Sequence, residues 1–211
     1  MLCSLEKKIM LYDKNDAQLL LISCQKAALS KSIDAKECSS QILKLAAIAK
    51  IFNIPAWSVL AYKTQWGEQI DDLTPFFPEP IESVTFSAAN VLLPFLNPSP
   101  KSGGGNARSL PKHLQKSNEP PEPKRPVIVM AGGMVHVGVM QSALELVELG
   151  YEPMVVVDAC TAQHARDKDA AFDRLASAGV ELTTVEMLSM EWLKSSDAPE
   201  SASVLKQLYK E

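Results

Sequence analysis

The sequence predicts an α/β protein in three layers, a central, mostly parallel sheet with helices on both faces. Short, almost continuously apolar runs alternate with longer segments whose apolar residues recur at helical spacing, the pattern of βαβ units. Several helical segments stop at a glycine or proline, and 211 residues suit one domain with an appendage. Strands covered by helices on both faces lose the polar–apolar alternation of a half-exposed sheet, so apolar runs are the expected signal.

Residues 17–23, Ala17 to Ser23, follow the polar stretch Asp13 to Asp16 and read as the first strand. Between residues 34 and 52, Ile42, Leu45, Ala46, Ala49 and Phe52 recur at helical spacing, and Pro55 lies just beyond the stop. Trp57 to Tyr62 reads as the second strand and Val84 to Phe86 as a short third, leading into an apolar stretch that ends near Pro94. Val127 to Gly132 is the next buried strand. The helix after it passes through Gln141, Leu144, Val147 and Glu148, and Gly150 stands where a left-handed cap is expected. Met154 to Ala159 is another strand, followed by a helix over 165–178 that Gly179 closes. A last strand over 180–185, a short helix over 186–194 and a surface helix within 200–209 complete the order.

The pattern fails between Asn97 and Pro126. Seven of the 14 prolines fall in these 30 residues, with Gly103-Gly104-Gly105 and only Ala107, Leu110 and Leu114 as apolar groups. So little apolar surface does not offset the entropy of ordering the chain, and the segment is expected to be a disordered insert. The domain is thus expected over 11–210, interrupted at 97–126, with residues 1–10 as an N-terminal extension. Within the insert, Glu119 to Pro126 also suits an extended polyproline ligand for a protein partner.

Composition excludes several classes. With 46% hydrophobic and 22% charged residues the chain is globular, and a net charge of −4 gives no global positive field for nucleic acid or an anionic membrane. No run of 18 apolar residues occurs, so no membrane span is expected. Cys3, Cys24, Cys38 and Cys160 are far apart, which suits reduced thiols in the cytoplasm better than a disulfide or zinc framework.

Ligand sites of parallel sheets lie beyond the carboxyl ends of the strands. Gly132-Gly133 has that placement but lacks the G-x-G-x-x-G spacing, so no nucleotide cofactor is expected, and His113, His136 and His164 form no spaced metal set. His136 opens a helix at a strand end, where it either faces a pocket or bonds to solvent or backbone. Cys160 precedes a helix with His164 four residues on, so a Cys–His pair competes with a buried, inert thiol. Ser23 and Cys24, adjacent in a strand, would point to opposite faces. Tyr62 and Trp66 stand beyond the second strand, as pocket walls or as packing for a second subunit.

The runs Leu19 to Gln25, Phe52-Asn53-Ile54-Pro55, Phe86-Ser87-Ala88, Ala131-Gly132 and Val155 to Cys160 resemble the isochorismatase-like cysteine hydrolases. The last third, from Gln141 through Asp158-Ala159-Cys160 to Glu186, is similar to the isochorismatase-domain-containing subgroup. The resemblance implies an aspartate, a lysine and a nucleophilic cysteine that hydrolyse amides or related C–N and C–O bonds, and also a homo-oligomer. Its order and spacing put these three positions at Ser23, Ser83 and Gly138, with Gln25 retained beside the first.

A serine is no base near neutral pH, Ser83 carries no charge and glycine has no side chain with which to attack. The loss does not depend on register. No Asp lies between Ala17 and Ser32, no Lys between Lys63 and Lys101, and no Cys between Cys38 and Cys160. The expectation is therefore an inactive relative acting as a binding or scaffold protein. The alternative is a hydrolase with relocated residues such as Cys160. Gln25, Tyr62, Trp66, Gly133, His136 and Cys160 are the candidate lining of a small-molecule pocket, with no cofactor.

Overall fold

The structure, a computed structural model, describes residues 11–96 and 124–209. Six strands form one sheet in the order β3-β2-β1-β4-β5-β6, every adjacent pair parallel. They are β1 (Ala17–Ile22), β2 (Ala56–Ala61), β3 (Ile81–Ser83), β4 (Val127–Gly132), β5 (Glu152–Cys160) and β6 (Glu181–Thr183). The helices are α1 (Lys26–Ser30), α2 (Ala35–Ile51), α3 (Lys63–Trp66), α4 (Ala89–Leu96), α5 (Gly138–Glu148), α6 (Ala165–Ser177), α7 (Val185–Leu193) and α8 (Ser201–Leu208). α2, α7 and α8 pack together on one face of the sheet, and α4, α5 and α6 form the opposite layer.

Burial explains the strand signal. Every residue of β1 and β4 is buried, including Gln18, whose amide donates to the Arg125 carbonyl at 2.7 Å. α2 turns Ile42, Leu45, Ala46, Ile48 and Ala49 into the core, and each large side chain so buried contributes about 1.5–3 kcal/mol. Gly150 and Gly179 adopt φ of +83° just past α5 and α6, as caps in that conformation require.

β1 is the turning point of the topology. From it the chain winds outward through β2 and β3, then returns to β4 and winds the other way, so the crevice between the carboxyl ends of β1 and β4 is where such folds bind ligands.

One expectation needs correction. The third strand is Ile81–Ser83, where Ile81 pairs with Val59 and Ser83 with Ala61, and Val84 beyond it is 97% exposed. Beyond Ser83 the Thr85 N–H donates to the Ser83 hydroxyl at 3.2 Å, a local bond that takes a backbone donor out of any ladder. Arg125 donates to the Lys14 and Ala17 carbonyls at 3.0 and 2.9 Å and fixes the entry to β4. Residues 97–123 of the expected insert, with most of its polyproline stretch, and the extension 1–10 lie outside the described residues. The sheet is parallel throughout, in keeping with the expected three-layer architecture, and α1 is a short helix that apolar periodicity did not reveal.

Candidate functional site

The two carboxyl ends at the switch point meet very closely. Gly132, at φ +142°, and Gly133 make the approach possible: a side-chain carbon on Gly132 would stand 1.8 Å from the Ile22 carbonyl oxygen, and one on Gly133 2.6 Å from that of Ser23. The Gly133 N–H donates to the Ile22 carbonyl at 3.1 Å, and the Ser23 N–H to Val59 at 3.0 Å. Ser23 itself leaves the strand at φ +54°. The strand alternation that would aim Ser23 and Cys24 at opposite faces therefore does not hold there, and both side chains are buried.

Ser23 and Gly138 are brought together. A carbon built on Gly138, the first residue of α5, would lie 3.3 Å from Ser23 Oγ, 2.9 Å from Ile22 Cγ2 and 3.5 Å from the Phe86 carbonyl oxygen. Ser83 joins through the same turn: its hydroxyl meets the carbonyl and the hydroxyl of Thr85 at 2.9 and 3.0 Å, and Thr85 Oγ1 donates to Ser87 at 2.7 Å. The three positions thus gather around one end of the sheet, but as a serine, a hydrogen-bonded turn serine and a glycine packed against an isoleucine. None carries charge.

Among the described residues, Ser23 Oγ, Gln25 Oε1 and His136 Nδ1 are buried without a hydrogen-bond partner. Gln25 spends its amide N–H on the Gly67 carbonyl at 2.7 Å, which ties β1 to the end of α3. No group of three His, Cys, Asp or Glu side chains among these residues is placed to hold a metal ion.

The Cys160–His164 pair does not form. Cys160 is fully buried, its thiol pushed up to about 12 by burial, whereas His164 caps α6 at an exposed position. Burial raises the thiols of Cys24 and Cys38 as well. Three protonated thiols in the core offer no nucleophile near neutral pH.

Tyr62 and Trp66 are joined by Phe86, which the sequence reading placed in a strand. The rings cluster at the carboxyl ends of β2 and β3, and Lys63 beside them is held by Glu82 at 2.5 Å and Glu68 at 3.1 Å. Only the Phe86-Ser87-Ala88 step hinted at this position, and it carried no information about exposure.

The Isochorismatase domain family matches residues 117–187. The probable hydrolase YcaC of Escherichia coli is 26% identical over 175 residues, which cover 82% of this chain and 75% of YcaC. The chain is similar to members of the isochorismatase-like superfamily. Isochorismatase family protein 2B of Dictyostelium discoideum is 32% identical over 78 residues, 37% of this isochorismatase-like chain and 36% of that protein. Among solved structures, MAR1 ribonuclease of Caenorhabditis elegans superposes with a TM-score of 0.78 at 23% identity, covering 94% of this chain and 92% of that one. The E. coli YcaC structure, described as an octameric hydrolase of unknown specificity, superposes at 0.73 with 23% identity and coverage of 95% and 92%. At these identities the superpositions establish the isochorismatase-like fold alone. Among the described residues no helix is long and apolar enough to cross a membrane.

Proposed function

We propose that this isochorismatase-like protein does not hydrolyse substrates and serves as a binding or scaffold protein built on the fold of the cysteine hydrolases. The observation that carries this reading is Gly138. The nucleophile's position has no side chain, and the volume where one would begin is bounded by Ile22 Cγ2 at 2.9 Å and Ser23 Oγ at 3.3 Å. Acyl transfer of the family's kind needs a thiolate, a proton acceptor and a cation to balance them. Gly138, Ser23 and Ser83 supply none of the three.

The deciding experiment is turnover of a panel of amides, including nicotinamide-like and isochorismate-like compounds, by the purified protein. No hydrolysis above background is expected. Robust turnover abolished by thiol alkylation would overturn the reading. A hydrolase working through Cys160 finds no support in a thiol with no access to solvent.

The same proposal includes self-association, supported by the octameric E. coli YcaC, and a cytoplasmic setting, supported by free thiols at Cys24, Cys38 and Cys160. Light scattering on the eluting peak of a sizing column tests the first. A monomeric mass at tens of micromolar would reject it.

A further inference from the structure

The aromatic cluster at the carboxyl edge of β2 and β3 is explained neither by the core nor by the family's chemistry. Its three ring centroids form a nearly equilateral triangle, with Tyr62 6.1 Å from both Trp66 and Phe86, and those two 6.3 Å apart. Tyr62 meets the others at 85° and 75°, while Trp66 and Phe86 lie 34° from parallel. Tyr62 and Phe86 keep 44% and 43% of their surface in water, an unusual concentration of exposed aromatic area.

The backbone holds this arrangement against its own preference. Tyr62 sits at φ +53°, a left-handed conformation that is an outlier for a bulky side chain. It is imposed from both sides: the Tyr62 N–H donates to the Ser83 carbonyl at 3.2 Å, and the Tyr62 carbonyl accepts from Gln65 and Trp66 at 3.0 and 3.1 Å. Strain of this kind concentrates at ligand clamps.

The charge next to the rings is negative. Lys63 is already shared between Glu82 and Glu68, so that trio beside the rings retains a net negative charge.

We propose that Tyr62, Trp66 and Phe86 form a binding site for an organic cation bearing a methylated ammonium head. A ring face attracts a cation within about 6 Å of its centroid, so one cation seated over the triangle lies within reach of all three rings. The ring faces themselves accept no conventional hydrogen bond, so a methylated head, which donates none, suits them better than a primary ammonium. Glu68 and Glu82 add attraction from the rim. The inference stands on these rings and charges and holds whether or not the protein hydrolyses anything.

The test is calorimetric titration of the full chain with choline and with its neutral isostere 3,3-dimethylbutan-1-ol at low salt. Choline is expected to bind saturably in the millimolar range, at least about tenfold tighter than the isostere. Trp66→Ala and Phe86→Leu should each weaken it about three- to tenfold, whereas Tyr62→Phe keeps the ring and the affinity. Phe86→Leu retains apolar area at an exposed position, so with an unchanged melting temperature it separates loss of the ring from loss of the fold. Glu68→Gln with Glu82→Gln should weaken binding at low salt and have little effect at high salt. Equal affinity for choline and the isostere, tighter binding of methylguanidinium than of choline, or no saturation up to about 50 mM choline would each overturn the assignment.

Discussion

Ile22 Cγ2 stands 2.9 Å from the point where a side chain on Gly138 would begin. Real carbon contacts are longer, so the two positions compete for one volume at the end of β1. Gly138→Cys is therefore expected to destabilise the protein by about 1–3 kcal/mol, the usual cost of overpacking. Combining it with Ile22→Ala, which removes the offending methyl, should cost less than the sum of the single changes. Thermal or urea melts of the four proteins read the coupling. Strict additivity would show that the volume is not shared. Gly138→Cys alone should remain without hydrolytic activity, because Ser23 and Ser83 still supply neither base nor cation.

The glycines of the switch point should rank by what a side chain there would meet. Gly132→Ala drives a carbon to 1.8 Å from a backbone oxygen at φ +142°, and Gly133→Ala to 2.6 Å from another, whereas Gly150→Ala meets nothing within 4 Å and suffers only its φ of +83°. The expected order of destabilisation is Gly132, Gly133, then Gly150, with the last costing about 1 kcal/mol. Chemical melts establish the order. A Gly132→Ala protein as stable as Gly150→Ala would refute the close approach of β1 to β4.

Much of this was legible in the sequence, and the gaps have physical causes. Strands buried on both faces announce themselves by composition, so β1, β4 and β5 could be read within a residue or two. The expected loss of the triad rests on residue types that are absent from whole intervals, which no shift of register alters. β3 was misplaced because Val84 and Phe86 look like strand residues, while the hydroxyls of Ser83 and Thr85 decide the turn. Exposure of Tyr62 and Phe86, and the meeting of Ile22 with Gly138, depend on how distant segments pack. No local pattern encodes either.

The buried thiols give a third prediction. Cys24, Cys38 and Cys160 are at most 1% exposed and burial holds all three protonated. A thiol reagent should leave these three unmodified in the folded protein and label them only as fast as the structure opens. Peptide mapping after timed quenching distinguishes them from Cys3. Rapid native labelling of Cys160 would contradict its burial and revive it as a nucleophile. Cys160→Ala should cost about 1–2 kcal/mol through the cavity it leaves.

Asp34, just before α2, joins the two halves of the chain: it accepts from Thr161 Oγ1 and is ion-paired with Lys168 of α6 at 2.5 Å. Burial pushes its carboxyl up, but the hydrogen bonds from Lys168 and Thr161 outweigh that and leave it below its ordinary value. A carboxyl lowered by folding contributes stability above its unfolded pKa of about 3.9, and the contribution disappears as the pH falls through the lower folded value. Both side chains are less than a third exposed, so the pair should be worth about 1 kcal/mol at pH 7, above a typical surface bridge. A double-mutant cycle of Asp34→Asn and Lys168→Met isolates it from the pairs Asp13–Lys194 and Lys14–Glu200, which also weaken in acid. The coupling should be flat from pH 7 down to about 5 and fall towards zero below the folded pKa. A coupling that survives full protonation, or one absent at pH 7, would show that Lys168 does not hold the carboxylate.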